Sequence, residues 1–151
     1  MAGGGRAVSG IRDRLIESAL RARGVAYAPY SRYAVGAALW GGDPPRVFEG
    51  SNVENASYGL TVCAERVAIF RWVVSGRRGE IEAIAVAAGP EGSAPSGGRP
   101  CGACLQVLRE FTSDLTIYIV EGDRVVETRL SSLLPDPFIP PFGPSGLRAG
   151  A

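Results

Sequence analysis

A three-layer α/β fold built on a mixed sheet is what this sequence predicts, and three observations carry the prediction. Helix-like and strand-like segments alternate along the 151 residues in the order αββαβαββ. Residues 81–88 form an almost unbroken apolar run, as in a strand covered on both faces. No repeat or shift in composition divides the chain, and its length suits a single domain. A sheet with helices packed on it is the economical way to bury all of these faces together.

Each element has its own signal. Residues 11–23 place Ile11, Leu15, Ala19 and Ala22 near helical spacing, with Gly24 as the stop. Residues 33–40 read as a strand, Gly41-Gly42-Asp43-Pro44-Pro45 as a turn, and residues 47–53 as the hairpin partner. A helix over 64–74 ends before Gly76. The apolar strand 81–88 is followed by a Gly/Pro/Ser-rich surface loop over 89–98. Pro100 opens a helix over 101–111, since proline suits the first turn. Strands over 115–120 and 125–129 flank Glu121-Gly122-Asp123. One domain spanning 1–151 is expected, with loose ends at 1–8 and at the Pro/Gly-rich 139–151.

Charge and composition give no support to several classes. Net charge is +1, and the sixteen basic residues, all arginine, are dispersed. A nucleic-acid partner would call for a basic stripe, so none is expected. No apolar run approaches the ~18 residues of a membrane span, and the N-terminus lacks a signal-peptide layout. A cytoplasmic, reduced protein is the expectation, and reducing conditions keep thiols available.

The chemistry is concentrated in three cysteines. Cys63 opens Cys63-Ala64-Glu65-Arg66, and Cys101 and Cys104 lie in Pro100-Cys101-Gly102-Ala103-Cys104. There is no other cysteine and no histidine. Three thiolates with a carboxylate two residues from the first suit one Zn2+ per chain with one open position, whereas a structural site is normally closed by four ligands. The i, i+3 spacing puts Cys101 and Cys104 on one helix face. The positive end of a helix favours thiolates, and Arg66 is a candidate for tuning their charge. Glu65 can face the same cavity without binding metal and is the candidate proton shuttle. Three alternatives stand beside this reading: a redox Cys-x-x-Cys pair, a structural zinc knot, and three unrelated buried thiols.

These motifs, with Ala-Tyr-Ala-Pro-Tyr-Ser-Arg-Tyr-Ala-Val-Gly-Ala-Ala-Leu at 26–39, Asn-Val-Glu-Asn-Ala-Ser-Tyr at 52–58 and the weaker Leu-Leu-Pro-x-x-Phe at 133–138, resemble the homotetrameric, three-cysteine class of cytidine deaminases. The resemblance runs from about Ile11 to Phe138. It implies a cytidine-deaminase-like α-β-α fold with a mixed five-stranded sheet. It also implies zinc-dependent hydrolysis of cytidine and 2′-deoxycytidine to uridine and 2′-deoxyuridine in pyrimidine salvage, with ammonia released. In such a site Cys63, Cys101 and Cys104 would bind the metal and Glu65 would be catalytic. Asn52 and Glu54 would bind ribose hydroxyls, and Tyr33, in place of the family's usual Phe, would stack on the pyrimidine. The main chain of Ala64 and near Pro100 would read the base edge. Phe138, Ala56 and Tyr58 would reach a neighbouring subunit's site in a homotetramer.

The sequence departs from that pattern at Leu105, where Arg is usual, at Ser51, and in the Pro-rich tail. Three other readings compete. A deaminase of a cytosine antibiotic, similar to blasticidin-S deaminase, would share the zinc motifs and lack the ribose block. A nucleic-acid editing deaminase would want a basic channel. A zinc-stabilised interaction module would have a closed site.

Overall fold

The computed structural model describes residues 5–142, with side chains from Gly10 onward. In chain order come helix α1 (Gly5–Arg23), strands β1 (Tyr33–Gly41) and β2 (Arg46–Ser51), a 3-10 turn (Tyr58–Leu60) and helix α2 (Ala64–Val74). Strand β3 (Ile81–Pro90), helix α3 (Gly102–Phe111), strands β4 (Thr116–Glu121) and β5 (Arg124–Arg129), and one helical turn α4 (Leu130–Leu133) follow. The strands form one sheet in the order β2-β1-β3-β4-β5. β1 is antiparallel to β2 and β3, β3 is parallel to β4, and β4 is antiparallel to β5. A parallel pair cannot be joined by a tight turn, and α3 supplies the crossover. The expected mixed five-stranded α/β sheet is therefore present.

Two boundaries differ from expectation. α1 begins at Gly5, inside the 1–8 stretch expected to be loose, because Arg6 and Ala7 are good helix formers. β2 ends at Ser51, so Asn52 and Val53 leave the hairpin. Residues 1–4 and 143–151 lie outside the described residues, and 139–142 hold no helix or strand.

The period-2 alternation of the strands sorts the core into two layers. Leu39, Ile84, Val86, Ile117 and Ile119 face α2 and α3, where they meet Ala68, Ile69, Trp72 and Leu108. Ala38, Ala85, Ala87, Tyr118 and Val120 face α1, where they meet Leu15 and Ala19. Fully burying a Leu or Ile contributes roughly 1.5–3 kcal/mol, so the α2/α3 layer holds much of the stability. Two glycines set close approaches. A Cβ at Gly36 would stand 2.8 Å from the Arg23 Cα. A Cβ at Gly50 would stand 2.5 Å from the Ala68 amide nitrogen and run into the Ala64 carbonyl. Gly50 thus lets the first turn of α2, which carries the first cysteine motif, lie directly on β2.

Candidate active site

The two cysteine motifs start two helices side by side. Cys63 caps α2 with extended backbone (φ −70°, ψ 152°), and its carbonyl accepts the Val67 N–H at 3.1 Å. Cys101 caps α3 in the same way (φ −72°, ψ 164°), its carbonyl accepting the Leu105 N–H at 3.0 Å. Neither side chain caps its own helix, which leaves both sulfurs free to turn outward. Cys104 comes from the first turn of α3 and is fully buried.

The sulfurs converge. Cys63 Sγ lies 4.0 Å from Cys101 Sγ, which lies 3.5 Å from Cys104 Sγ, and all three fall within 4.8 Å of one another. Three ligands at about 2.3 Å from a tetrahedral ion would stand about 3.8 Å apart, so the triad fits zinc. Among the described residues no fourth His, Cys, Asp or Glu joins this cluster, as a site with an open position requires. These are free thiols and not a disulfide, which removes the oxidised Cys101–Cys104 pair from this structure.

Charge is shared within the triad. A hydrogen bond from the Cys104 thiol, followed by the Arg66 guanidinium, holds Cys63 down at about 5. The same bond, together with burial, pushes Cys104 up. Arg66 Nη2 sits 3.5 Å from Cys63 Sγ and 3.3 Å from the Thr61 carbonyl, so the expected charge donor touches the sulfur. Leu105 packs in the core, so no charge enters the triad at that position. Ser51, the other departure, ties the end of β2 to α1 by donating to the Ala22 carbonyl at 2.6 Å.

Glu65, in the first turn of α2, is only 4% exposed. Burial, with the neighbouring Cys63 charge, pushes its carboxyl up to about 7. It opens with Cys63 and Cys101 onto a cavity of about 350 Å³, in the size range of small-molecule sites. Tyr33, Asn52, Glu54 and Tyr58 line the same cavity.

The segment carrying Asn52 and Glu54 is pinned from both sides. Asn52 N–H donates to the Val35 carbonyl, Glu54 N–H to the Tyr27 carbonyl, and Val53 exchanges both main-chain bonds with Val62. The Asn52 amide is engaged as well: Oδ1 accepts the Val35 N–H at 2.8 Å and Nδ2 donates to the Tyr33 carbonyl at 2.9 Å. Glu54 Oε2 accepts the N–H groups of Tyr30 (2.9 Å) and Ser31 (3.2 Å). Its Oε1 accepts the Ser31 hydroxyl and, at 3.4 Å, the Tyr58 hydroxyl. Burial pushes the Glu54 carboxyl up, but the bonds from Ser31, Tyr30 and Tyr58 outweigh it and hold the group below its usual range.

The side chains of Ala64, Ala56 and Phe138 do not line this cavity; Ala64 is a candidate through its main chain, and Ala56 and Phe138 are candidates for a neighbouring subunit's site. Ala64 has its side chain in the core, which leaves only its main chain for a substrate. Ala56 is exposed and does not line the cavity. Phe138 is 71% exposed beside α3, where Gln106 bonds both its N–H and its carbonyl. Tyr58 lines this chain's own cavity. Ser31, Thr61 and Arg99 line the cavity without having been singled out from the sequence. Ser31 sat in view in the 26–39 block, but its role depends on a carboxylate distant in sequence. Thr61 Oγ1 and Arg66 Nε are buried without a hydrogen-bond partner among the described residues.

With this geometry established, comparison with known proteins gives a consistent result. A family model described as the cytidine and deoxycytidylate deaminase zinc-binding region matches residues 10–120. A cytidine deaminase of Halalkalibacterium halodurans is 48% identical over 130 residues, covering 84% of this chain and 93% of that protein. The crystal structure of a cytidine deaminase from Burkholderia pseudomallei is similar with a TM-score of 0.75 and 46% identity, covering 83% of this chain and 98% of that one. That of a cytidine deaminase from Mycobacterium tuberculosis gives a TM-score of 0.69 at 43% identity, with coverages of 84% and 96%.

Proposed function

This chain belongs to the cytidine and deoxycytidylate deaminase family, and on that premise we propose that it hydrolyses cytidine and 2′-deoxycytidine to uridine and 2′-deoxyuridine, releasing ammonia. The observation that carries the reading is one cavity with two distinct chemical features. Cys63 and Cys101, with the buried Cys104 sulfur beside them, and the carboxyl of Glu65 make one chemical feature, and the polar pair Asn52 and Glu54 makes the other. A deaminase of a cytosine antibiotic would not need that pair, so the ribose-bearing substrate is favoured.

Cys63, Cys101 and Cys104 would hold the zinc ion. When bound, zinc supplies Lewis acidity sufficient to bring water's pKa down to about 7. Glu65 then has the protonic work. Its carboxyl, raised by burial to about 7, can hold or release a proton near neutrality. It would take one proton of the attacking water and deliver it to ring N3 as the oxygen adds at C4, then carry the proton of the resulting C4 hydroxyl to the amine, so that the C4–N bond breaks, the C4 carbonyl forms and ammonia leaves. Arg66, on Cys63 Sγ, offsets part of the thiolate charge. Tyr33 offers an aromatic face to the ring. Asn52 and Glu54 offer an amide and a carboxylate to the sugar hydroxyls, and the Ala64 and Pro100 main chains offer donors and acceptors to the base edge.

We further propose a homotetramer working in pyrimidine salvage in the cytoplasm, with Ala56 and Phe138 acting in a neighbouring subunit's site. Exposed apolar groups such as Val25, Leu60, Phe70 and Val74 support an assembly. No helix among the described residues is long and apolar enough to cross a membrane.

The test is a cytidine assay on zinc-quantified protein beside Glu65→Gln. Wild type should turn over with about one zinc per chain. Glu65→Gln should keep its zinc and lose roughly 10²–10⁴-fold in kcat, the size of a positioned proton-transfer group. Near wild-type turnover by a zinc-loaded Glu65→Gln would remove Glu65 from this role, and zinc-loaded wild type that ignores cytidine would sink the substrate assignment.

A further inference from the structure

Ser31 lies in the turn that leads into β1 and is exposed to solvent, yet its polar groups point at a buried carboxylate. Its hydroxyl donates to Glu54 Oε1 and its N–H donates to Oε2 at 3.2 Å. The same Oγ accepts the N–H of Tyr33, the first residue of β1, at 3.0 Å. One hydroxyl therefore joins Glu54 to the strand that bears the aromatic wall of the cavity. Glu54 and Tyr33 are 21 positions apart in the chain; Asn52 ties their main chains together through the Tyr33 carbonyl, and the Ser31 hydroxyl is what reaches the carboxylate end of Glu54. The Tyr30 N–H at 2.9 Å and the Tyr58 hydroxyl at 3.4 Å complete the set around Glu54.

A carboxylate offers about four acceptor sites, and all four are taken here. An incoming sugar hydroxyl must displace one partner. The Tyr58 bond is the longest and comes from an exposed side chain, so it is the exchangeable one. The three bonds from Tyr30 and Ser31 then hold the carboxylate in place while that exchange occurs.

We propose that Ser31 is the positioning residue for Glu54, fixing the orientation of its carboxylate and its spacing from Tyr33 so that the vacated Oε1 site receives the nucleoside's sugar. The inference rests on the sugar-binding role proposed for Glu54. The hydrogen bonds of Ser31 go to Glu54 and Tyr33 and to none of the three cysteines or Glu65, so its effect falls on substrate binding and not on the proton-transfer step.

The experiment is steady-state kinetics with cytidine on zinc-quantified wild type, Ser31→Ala, Ser31→Thr, Glu54→Ala and the double variant Ser31→Ala/Glu54→Ala. Ser31→Ala is expected to raise KM about tenfold and leave kcat within about threefold, with zinc content unchanged. Ser31→Thr, which keeps the hydroxyl, should stay within about twofold of wild type. In the Glu54→Ala background, Ser31→Ala should add less than about twofold, because two residues acting through one contact are not additive. An unchanged KM in Ser31→Ala, or a full tenfold loss repeated in the Glu54→Ala background, overturns the proposal while leaving the reaction intact. Wild type that holds zinc and ignores cytidine overturns the reaction and this inference together.

Discussion

Asn52 shows how one side chain serves the fold and the site at once. Its amide bonds the Val35 N–H and the Tyr33 carbonyl, two main-chain groups at the entry of β1, and the residue is buried. One N–H of Nδ2 remains for a ligand, since the other is spent on Tyr33. Removing the amide leaves two main-chain groups without partners, each costing about 1–3 kcal/mol. Asn52→Ala should therefore lose about 2–3 kcal/mol of stability in denaturant unfolding, as well as affinity for cytidine. Glu54→Ala, whose partners can turn to water at the cavity, should lose affinity with a smaller change in unfolding midpoint. If Asn52→Ala unfolds at the wild-type midpoint, its main-chain bonds do not contribute as argued. At this scale the sequence was informative about which residues matter and silent about how. The 52–58 block marked Asn52 and Glu54, but their bonds to residues 30–35 join segments far apart in the chain, which no local pattern encodes. Ser31 carries no local signal of its bond to Glu54 for the same reason, and the motif holding Tyr58 does not encode its place in this chain's cavity.

At the level of elements, local signals carried further. The apolar run of β3 gave a strand buried on both faces, and Pro100 gave the start of α3 within one residue. The helix over 64–74 matches α2, because its two ends are marked by the Cys63 cap and by Gly76 just beyond the Ser75 C-cap. α4 was missed, since a single turn is too short to show periodicity and is held by a tertiary contact. That contact centres on Asp114, just before β4. Its Oδ1 accepts the N–H groups of Leu115 and Ser131 at 3.0 Å each, and its Oδ2 accepts from Arg129 at 2.7–2.9 Å. One carboxylate thus joins the start of β4, the end of β5 and the first turn of α4. Burial pushes the Asp114 carboxyl up, but the Ser131 and Arg129 bonds prevail and leave it below its usual range. A group depressed on folding contributes stability above its unfolded pKa of about 3.9, and that contribution is lost as pH falls through the lower folded value. Asp114→Asn should therefore be less stable than wild type at pH 7, by about 1 kcal/mol for a partly exposed site, with the gap narrowing as pH falls below the ordinary carboxylate range. A gap independent of pH would mean that the ionised form is not what holds the junction.

For the whole molecule, the described chain leaves several large apolar groups in solvent and one expected site residue away from its own site. Leu60 is 66% exposed, and Phe138 is 71% exposed beside α3, where Gln106 bonds its main chain. Single surface apolar residues are ordinary, but exposed groups on several elements are what an oligomer covers. Symmetric assembly would let each chain's Phe138 complete another chain's cavity, which a single-chain sequence reading can anticipate only through the resemblance. The consequence is testable by complementation. Phe138→Ala removes a group that does not line its own cavity, so each altered chain keeps an intact Glu65 and cysteine triad. Glu65→Gln disables its own site and keeps a normal Phe138 to offer. Each variant alone should be at least tenfold less active than wild type. When the two are unfolded together, refolded with zinc and allowed to assemble at equal amounts, about a quarter of the sites should pair an intact Glu65 with a neighbour's Phe138. Activity should return to about that fraction of wild type, and it should disappear when the two variants are refolded separately and mixed without exchange. If Phe138→Ala alone is fully active, or the mixture never exceeds the sum of its parts, each chain completes its own site and the exposed aromatic serves another purpose.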